Sequence, residues 1–94
     1  MPTTYIRKDL LIQRFKPETY SFSERITSKN HKLYFSNGLA VFLEAYDSAE
    51  NSVVFGRAIQ YERVIEDMKY FMTPDAALDW TQQIVDTYGP PPQS

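Results

Sequence analysis

Residues 34–46, YFSNGLAVFLEAY, decide the fold, because they place a turn dipeptide between two apolar runs. Asn37-Gly38 is typical of a two-residue type I′ turn, since both residue types tolerate positive φ. A two-residue turn also sets the register of the strands that it joins. The predicted pairs are Ser36 with Leu39, Phe35 with Ala40, Tyr34 with Val41, and Leu33 with Phe42.

This register predicts apolar side chains on both faces of the hairpin. One face would carry Tyr34, Leu39, Val41 and Leu43, and the other would carry Leu33, Phe35, Ala40 and Phe42. A sheet with one solvated face normally alternates between apolar and polar residues. We therefore expect this hairpin to lie in the centre of a sheet that is covered on both sides.

Further strands are predicted on either side of the hairpin. Residues 20–26 alternate as a half-buried strand does, and Ser28-Lys29-Asn30 is predicted to be the turn that follows. The second and third strands are expected at 32–36 and 39–46, followed by a polar loop at 47–52. A fourth strand is expected at 53–63, where Gly56 and Ala58 would leave a shallow depression for a large side chain.

Residues 64–72 also fit a helical stripe. We favour a strand at 68–72, because this segment is rich in aromatic residues and is followed by helix-start signals. Residues 64–67 are then either a turn or the beginning of the same strand.

The segment from residue 73 onward predicts a helix over 74–88. Thr73 is a suitable N-cap and Pro74 suits the first helical position, while Gly89 is a natural stop. Its apolar positions recur at helical spacing and would pack on one face of the sheet. Trp80 or one of its neighbours in the helix is expected over Gly56 and Ala58, from size complementarity alone.

The fold class that these elements define is α+β. We expect one domain over 1–94, with an antiparallel meander sheet of four or five strands at 19–72 and the helix at 74–88 on one of its faces. Residues 1–16 form an accessory segment, as strand or short helix, and 89–94 form a flexible tail. Either this accessory segment or a second subunit would cover the other face.

Composition limits the class of protein. The 94 residues contain 43% hydrophobic and 15% aromatic side chains, which is typical of a folded chain. The chain has no cysteine, and its first residues contain neither a long apolar run nor a signal-peptide pattern, so we expect a cytoplasmic protein without a membrane segment. Residues 1–32 carry seven Lys/Arg and three acids, whereas the remainder carries three and nine. This asymmetry suits packing on the acidic body, pairing with a second copy, or an anionic partner.

No arrangement of residues predicts catalysis. His31 is the only histidine and is expected in a loop, and the sequence contains no phosphate-binding or metal-binding motif. We therefore expect no catalytic residue, no metal and no cofactor.

The aromatic and basic side chains on the strands are the remaining candidates for a binding function. We expect a small non-enzymatic interaction protein that binds another protein through this surface, as a monomer or as a homodimer. The alternative is a single-stranded nucleic-acid-binding protein in which rings stack on bases and cations contact phosphates. The candidate binding residues for both readings are Lys32, Tyr34, Phe35, Phe42, Phe55, Arg57 and Tyr61.

Overall fold

The computed structural model describes residues 6–25, 28–47 and 52–91. Its elements, in chain order, are α1 (Lys8–Phe15), β1 (Thr19–Glu24), β2 (Ser28–Tyr34), β3 (Leu39–Asp47), β4 (Ser52–Gln60), β5 (Arg63–Phe71) and α2 (Pro74–Tyr88). The strands form one antiparallel sheet in the order β1-β2-β3-β4-β5. The predicted fold class, an α+β meander sheet with a C-terminal helix packed on it, is confirmed.

The register predicted for the central hairpin is wrong by one residue. Tyr34 pairs with Ala40 rather than Val41, and the Phe35 N–H donates to the Leu39 carbonyl at 2.9 Å. The connection therefore has three residues, 36–38, and its last residue, Gly38, has a φ of +85°. Such a loop is a type I turn that ends in a left-handed residue, so Gly38 serves it as well as it would serve a two-residue turn.

The corrected register gathers the buried apolar side chains of the central hairpin on one face, because a shift of one residue reverses which residues of the two strands share a side. We call this side of the sheet the core face. Phe35 belongs to it rather than to the face of Phe42. The buried strand residues on the core face are His31, Leu33, Leu39, Val41, Leu43, Ala45, Val54, Gly56 and Ala58.

Helix α2 begins and ends where its capping residues predict. The Thr73 hydroxyl accepts from the Ala76 N–H at 3.2 Å, and Pro74 stands at the first helical position. Beyond the last turn, the Gly89 N–H donates to the Val85 carbonyl at 2.8 Å. The Asn37 side chain donates to the carbonyl of Tyr88 at 2.6 Å, so the hairpin turn is tied to the end of the helix.

Helix α1 packs on the same face as α2, which differs from the predicted cover of the second face. Leu11 and Phe15 are buried in the same hydrophobic cluster as Leu33 and Ile84. Arg14 of α1 donates through Nε to the Gln82 side chain of α2 at 3.1 Å. Two adjacent helices on one side of the sheet complete a single core.

The expected contact between Trp80 and the depression on β4 is confirmed. A Cβ added at Gly56 would lie 2.7 Å from Cζ3 of Trp80 and 3.1 Å from Cε2 of Phe71. The two rings have centroids 5.5 Å apart. Only a residue without a side chain allows the indole to approach the strand this closely.

Two predicted strand boundaries are wrong. Ser28 to Asn30 belong to β2 rather than to a turn, and the Arg25 N–H donates to the Ser28 carbonyl at 2.7 Å. β4 ends at Gln60, since Tyr61 and Glu62 adopt φ values of 49° and 68° in the turn before β5. β5 then begins at Arg63, so 64–67 start the same strand that was expected at 68–72.

Several expectations fall outside the described residues. They concern residues 1–5 of the accessory segment, Ile26 at the end of the first predicted strand, the middle of the 47–52 loop, and the last three residues of the tail.

Candidate binding face of the sheet

The face of the sheet opposite the helices carries most of the predicted binding residues. We call it the open face, because both helices pack on the core face and no other described element covers it. Its side chains alternate with those of the core face along β2 to β5. Those on the open face include Lys32, Tyr34, Ala40, Phe42, Glu44, Phe55, Arg57, Ile59, Met68 and Tyr70.

The centre of the open face is a row that crosses three strands. Phe42 of β3 pairs with Lys32 on one side and with Arg57 on the other. Directly opposed residues on one face have Cβ atoms about 4.5–5.5 Å apart. The row therefore sets an aromatic ring between two cationic side chains.

Aromatic contacts extend this row in both directions. Tyr34 meets Phe42 edge to face with ring centroids 6.3 Å apart, and Phe55 meets Tyr70 in the same manner at 5.0 Å. These contacts leave substantial apolar area in solvent, because Tyr70 remains 65% exposed and Met68 54% exposed. The open face is thus partly ordered by its own ring contacts and still accessible.

A shallow concavity of about 430 Å³ lies over the central row. Its lining combines apolar, aromatic and charged side chains with the strand backbone. The lining residues on the open face are Arg25, Asn30, Lys32, Phe42, Glu44, Phe55, Arg57, Ile59 and Met68.

Positive charge predominates in this concavity and at its margin. Arg25, Lys32 and Arg57 face two acids, Glu44 and Asp67. The Arg57 Nε lies 3.9 Å from the Asp67 carboxylate, and both side chains are well exposed, so the pair is weak. Within the described ranges, neither Arg25 nor Lys32 forms an ion pair. The electrostatic interaction would therefore be most favourable for a ligand with negative charge.

A second concavity, of about 590 Å³, lies on the helix side between α1, the end of α2 and the central hairpin. Lys16 lines it together with the acidic residues Glu18 and Asp86. Its mixed charges and its position beside the tail favour no one class of ligand.

The structure brings five of the seven predicted site residues together. Lys32, Tyr34, Phe42, Phe55 and Arg57 share the open face. The other two lie elsewhere. Phe35 is on the core face and only 7% exposed, and Tyr61 is in the turn between β4 and β5 at 73% exposed, where its ring covers Gly38.

Three open-face residues were not predicted from the sequence, and two of them follow from the strand pattern. Ile59 alternates with Phe55 and Arg57 along β4, and Met68 alternates with Tyr70 along β5. The period-two pattern was therefore a sufficient signal for these residues. Arg25 follows a strand end, and only the folded chain shows that its side chain lines the concavity.

His31 is a buried strand residue, so the prediction of a loop histidine is wrong. It is 1% exposed on the core face, and its Nδ1 lies 2.6 Å from the Tyr20 hydroxyl. Its Nε2 has no hydrogen-bond partner among the described residues. Burial lowers the pKa of His31 to about 4, the backbone of Ile6 acts in the opposite direction, and the charge of Lys29 adds to the lowering. The result is a neutral imidazole packed against the Tyr20 and Phe22 rings of β1.

Two further properties concern the described residues only. They contain no group of three or more His, Asp or Glu placed to hold a metal ion. None of their helices has the length and apolar character needed to cross a membrane.

Comparison of the chain with protein-family models, with curated proteins and with solved structures finds no match. The site must therefore be interpreted from its own chemistry.

Proposed function

We propose that this chain is a small non-enzymatic interaction protein whose open face binds a protein partner. The observation that carries the proposal is the central row Lys32–Phe42–Arg57, flanked by exposed rings on a face that no described element covers. Aromatic and arginine side chains dominate the energetics of protein interfaces. A sheet held rigid by a helical layer behind it presents such residues without a large ordering cost.

The charges of the open face specify the chemistry of the partner. Three cations against two acids favour a partner segment in which apolar side chains are flanked by carboxylates. The apolar side chains would contact Phe42, Phe55 and Met68, and the carboxylates would approach Lys32 and Arg57. Because the chain contains no cysteine, we place this interaction in a reducing cytoplasmic environment.

Selection of displayed random peptides on the immobilised protein tests this proposal. We expect enriched peptides to combine apolar and acidic residues. Affinity is then measured by fluorescence polarisation for the wild type, Lys32→Glu/Arg57→Glu and Phe42→Ser. Both changes should weaken binding by about tenfold or more, since interface anchors commonly contribute above 1.4 kcal/mol.

Matched controls come from the other side of the molecule. Arg63→Glu reverses a charge at an exposed position on the core side of β5, and Ile12→Ser removes an exposed apolar side chain from α1. Each should leave affinity within about twofold. Peptides without an acidic and apolar bias, or with equal affinity for the open-face variants, would contradict the proposal.

A second copy is a competing occupant of the open face. Light scattering after size-exclusion chromatography, over a range of concentrations, separates the two cases. A dimer that dissociates in Phe42→Ser would identify the second copy as the occupant, whereas an unchanged mass leaves the face to a different protein.

Single-stranded nucleic acid is the second candidate, and the ring between two cations is the observation that favours it. Bases stack on exposed rings while phosphates approach Lys and Arg. Titration with a labelled oligothymidylate at low salt tests this candidate. Binding that falls steeply with salt and is lost in Lys32→Glu/Arg57→Glu would support it, and no binding at low salt would remove it.

A further inference from the structure

The sheet has two outer strands, β1 and β5, and the described chain pairs neither of them on its outer side. An outer strand carries unpaired N–H and C=O groups, which are a template for another strand. Proteins commonly block this pairing with bulges and charged residues. The two edges of this sheet differ in both respects.

The β5 edge is protected. Its pairing with β4 shifts register twice, between Gly56 and Ala58 and again between Ala58 and Ile59. The strand also carries four charged residues, Arg63, Glu66, Asp67 and Lys69. Irregular backbone and charge both oppose the addition of a further strand here.

The β1 edge is regular. Its six residues pair with β2 in one uninterrupted register, from Thr19 opposite Tyr34 to Glu24 opposite Lys29. Residues 19–23, Thr-Tyr-Ser-Phe-Ser, contain no charge and no proline. This edge thus lacks the register shifts of β5, and its one charged residue, Glu24, stands at the end of the strand.

The hydrogen bonds identify the groups that β1 directs outward. The Arg25 N–H donates to the Ser28 carbonyl, so odd-numbered residues of β1 face β2. The N–H and C=O groups of Tyr20 and Phe22 therefore point away from β2, toward the outer edge of the sheet. The side chains of these two residues lie on the core side, and Phe22 is 37% exposed with its ring centroid 5.1 Å from that of His31.

We infer that a second copy of this chain pairs antiparallel along β1, with residue 22 opposite residue 22 of that copy. In both strands the outward N–H and C=O groups belong to even-numbered residues. The core side of one sheet therefore continues into the core side of the other. The two phenylalanine rings would meet on the core side, and Ser21 would lie opposite Ser23 on the open side. The two sheets become one, and the two open faces form a continuous surface.

The expected association is weak, because a pair of six-residue strands buries little area. A dimer should therefore appear only as concentration rises, with a dissociation constant weaker than about 1 μM.

Sedimentation of the full chain over a wide concentration range tests the inference with two substitutions at one position. Phe22→Pro removes an outward N–H and leaves the bonds between β1 and β2 intact, which an edge strand tolerates. Phe22→Ala removes the ring but keeps the N–H. We expect the wild type and Phe22→Ala to dimerise, and Phe22→Pro to be a monomer with unchanged circular dichroism.

Amide hydrogen exchange of the wild type gives a second readout that does not depend on the folding of a variant. Protection of the Tyr20 and Phe22 amides should rise with protein concentration, while that of Ser21, which faces β2, should not change. Three results would overturn the inference. The wild type could stay monomeric at every concentration, the dimer could survive Phe22→Pro, or the protection of residues 20 and 22 could be independent of concentration.

The open-face variants keep this test separate from the proposed function. Lys32→Glu/Arg57→Glu should dimerise like the wild type. Loss of the dimer in this variant, with retention in Phe22→Pro, would also overturn pairing along β1.

Discussion

The two faces of β3 differ in what they contact, although their residues alternate along a single strand. Leu39, Val41 and Leu43 are at most 1% exposed beneath the helices, whereas Phe42 and its neighbours on the open face are only half-buried. The open face nevertheless includes several rings and aliphatic side chains. Apolar content alone therefore does not identify a core; the covering layer does. The covering layer also explains why charges occur on only one of these faces at the centre of the sheet.

The largest expected effect comes from placing the same charge on each face. Phe35→Glu buries an unpaired carboxylate in the core, and we expect a loss of about 4 kcal/mol or more, enough to unfold much of the protein. Phe42→Glu places the carboxylate between Lys32 and Arg57 and should cost less than about 2 kcal/mol. Urea unfolding followed by Trp80 fluorescence measures both. An equal loss of unfolding free energy in the two variants would show that the open face is covered.

The pH dependence of stability should come from the core face, through His31. The folded pKa of about 4 lies below the ordinary value of 6.5, so the unfolded chain binds the proton more readily between these values. This contribution to stability is complete above pH 6.5 and declines as the pH falls toward 4. The expected loss is about 3 kcal/mol, measured as the urea midpoint across this range.

A His31→Phe variant is the control for this prediction, because a phenyl ring cannot be protonated. Its stability should change much less between pH 6.5 and 4. If the stability of the variant depended on pH as steeply as that of the wild type, the acid sensitivity would come from the carboxylates instead.

Gly56→Ala tests the contact between the core face and α2. The added Cβ would lie 2.7 Å from Trp80, so we expect a destabilisation of about 1–3 kcal/mol. Repeating the substitution in a Trp80→Leu background should reduce this cost, since residues in contact are not additive. An additive double-mutant cycle would contradict the close packing of the indole on β4.

The smallest effect is expected on the open face. Arg57→Ala removes a loose, exposed ion pair with Asp67, and its effect on stability should be within about 0.5 kcal/mol. Lys69→Ala, which removes the exposed pair with Glu66 on the same strand, is the matched control. If Arg57→Ala lowered stability strongly and Lys69→Ala did not, the Arg57 side chain would have a structural role in place of the proposed binding role.

Local patterns were sufficient for some elements. The ends of α2 follow from Thr73, Pro74 and Gly89, because capping depends on residues within one turn of the helix end. The space above Gly56 and the size of Trp80 predicted their contact correctly. The five candidate residues on the open face were chosen for their chemistry, but the predicted register placed Tyr34 and Phe42 on opposite faces.

The wrong register of the central hairpin and the wrong face of Phe35 share one physical origin. Asn37-Gly38 suits a two-residue loop and also the three-residue loop that forms, and a single residue of register separates a core phenylalanine from an exposed one. The three-residue loop places every long aliphatic side chain of the hairpin under the helices. Burial of the whole set outweighs the preference of one dipeptide.

The sequence by itself determined the α+β meander, the position and caps of α2, and the small residue beneath Trp80, because each depends on neighbours in the chain or on simple size. Only the tertiary structure decided the register of the central hairpin, the packing of α1 beside α2, and the burial of His31 on the core face. These depend on which apolar surfaces meet, and that is a property of the assembled layers rather than of any segment.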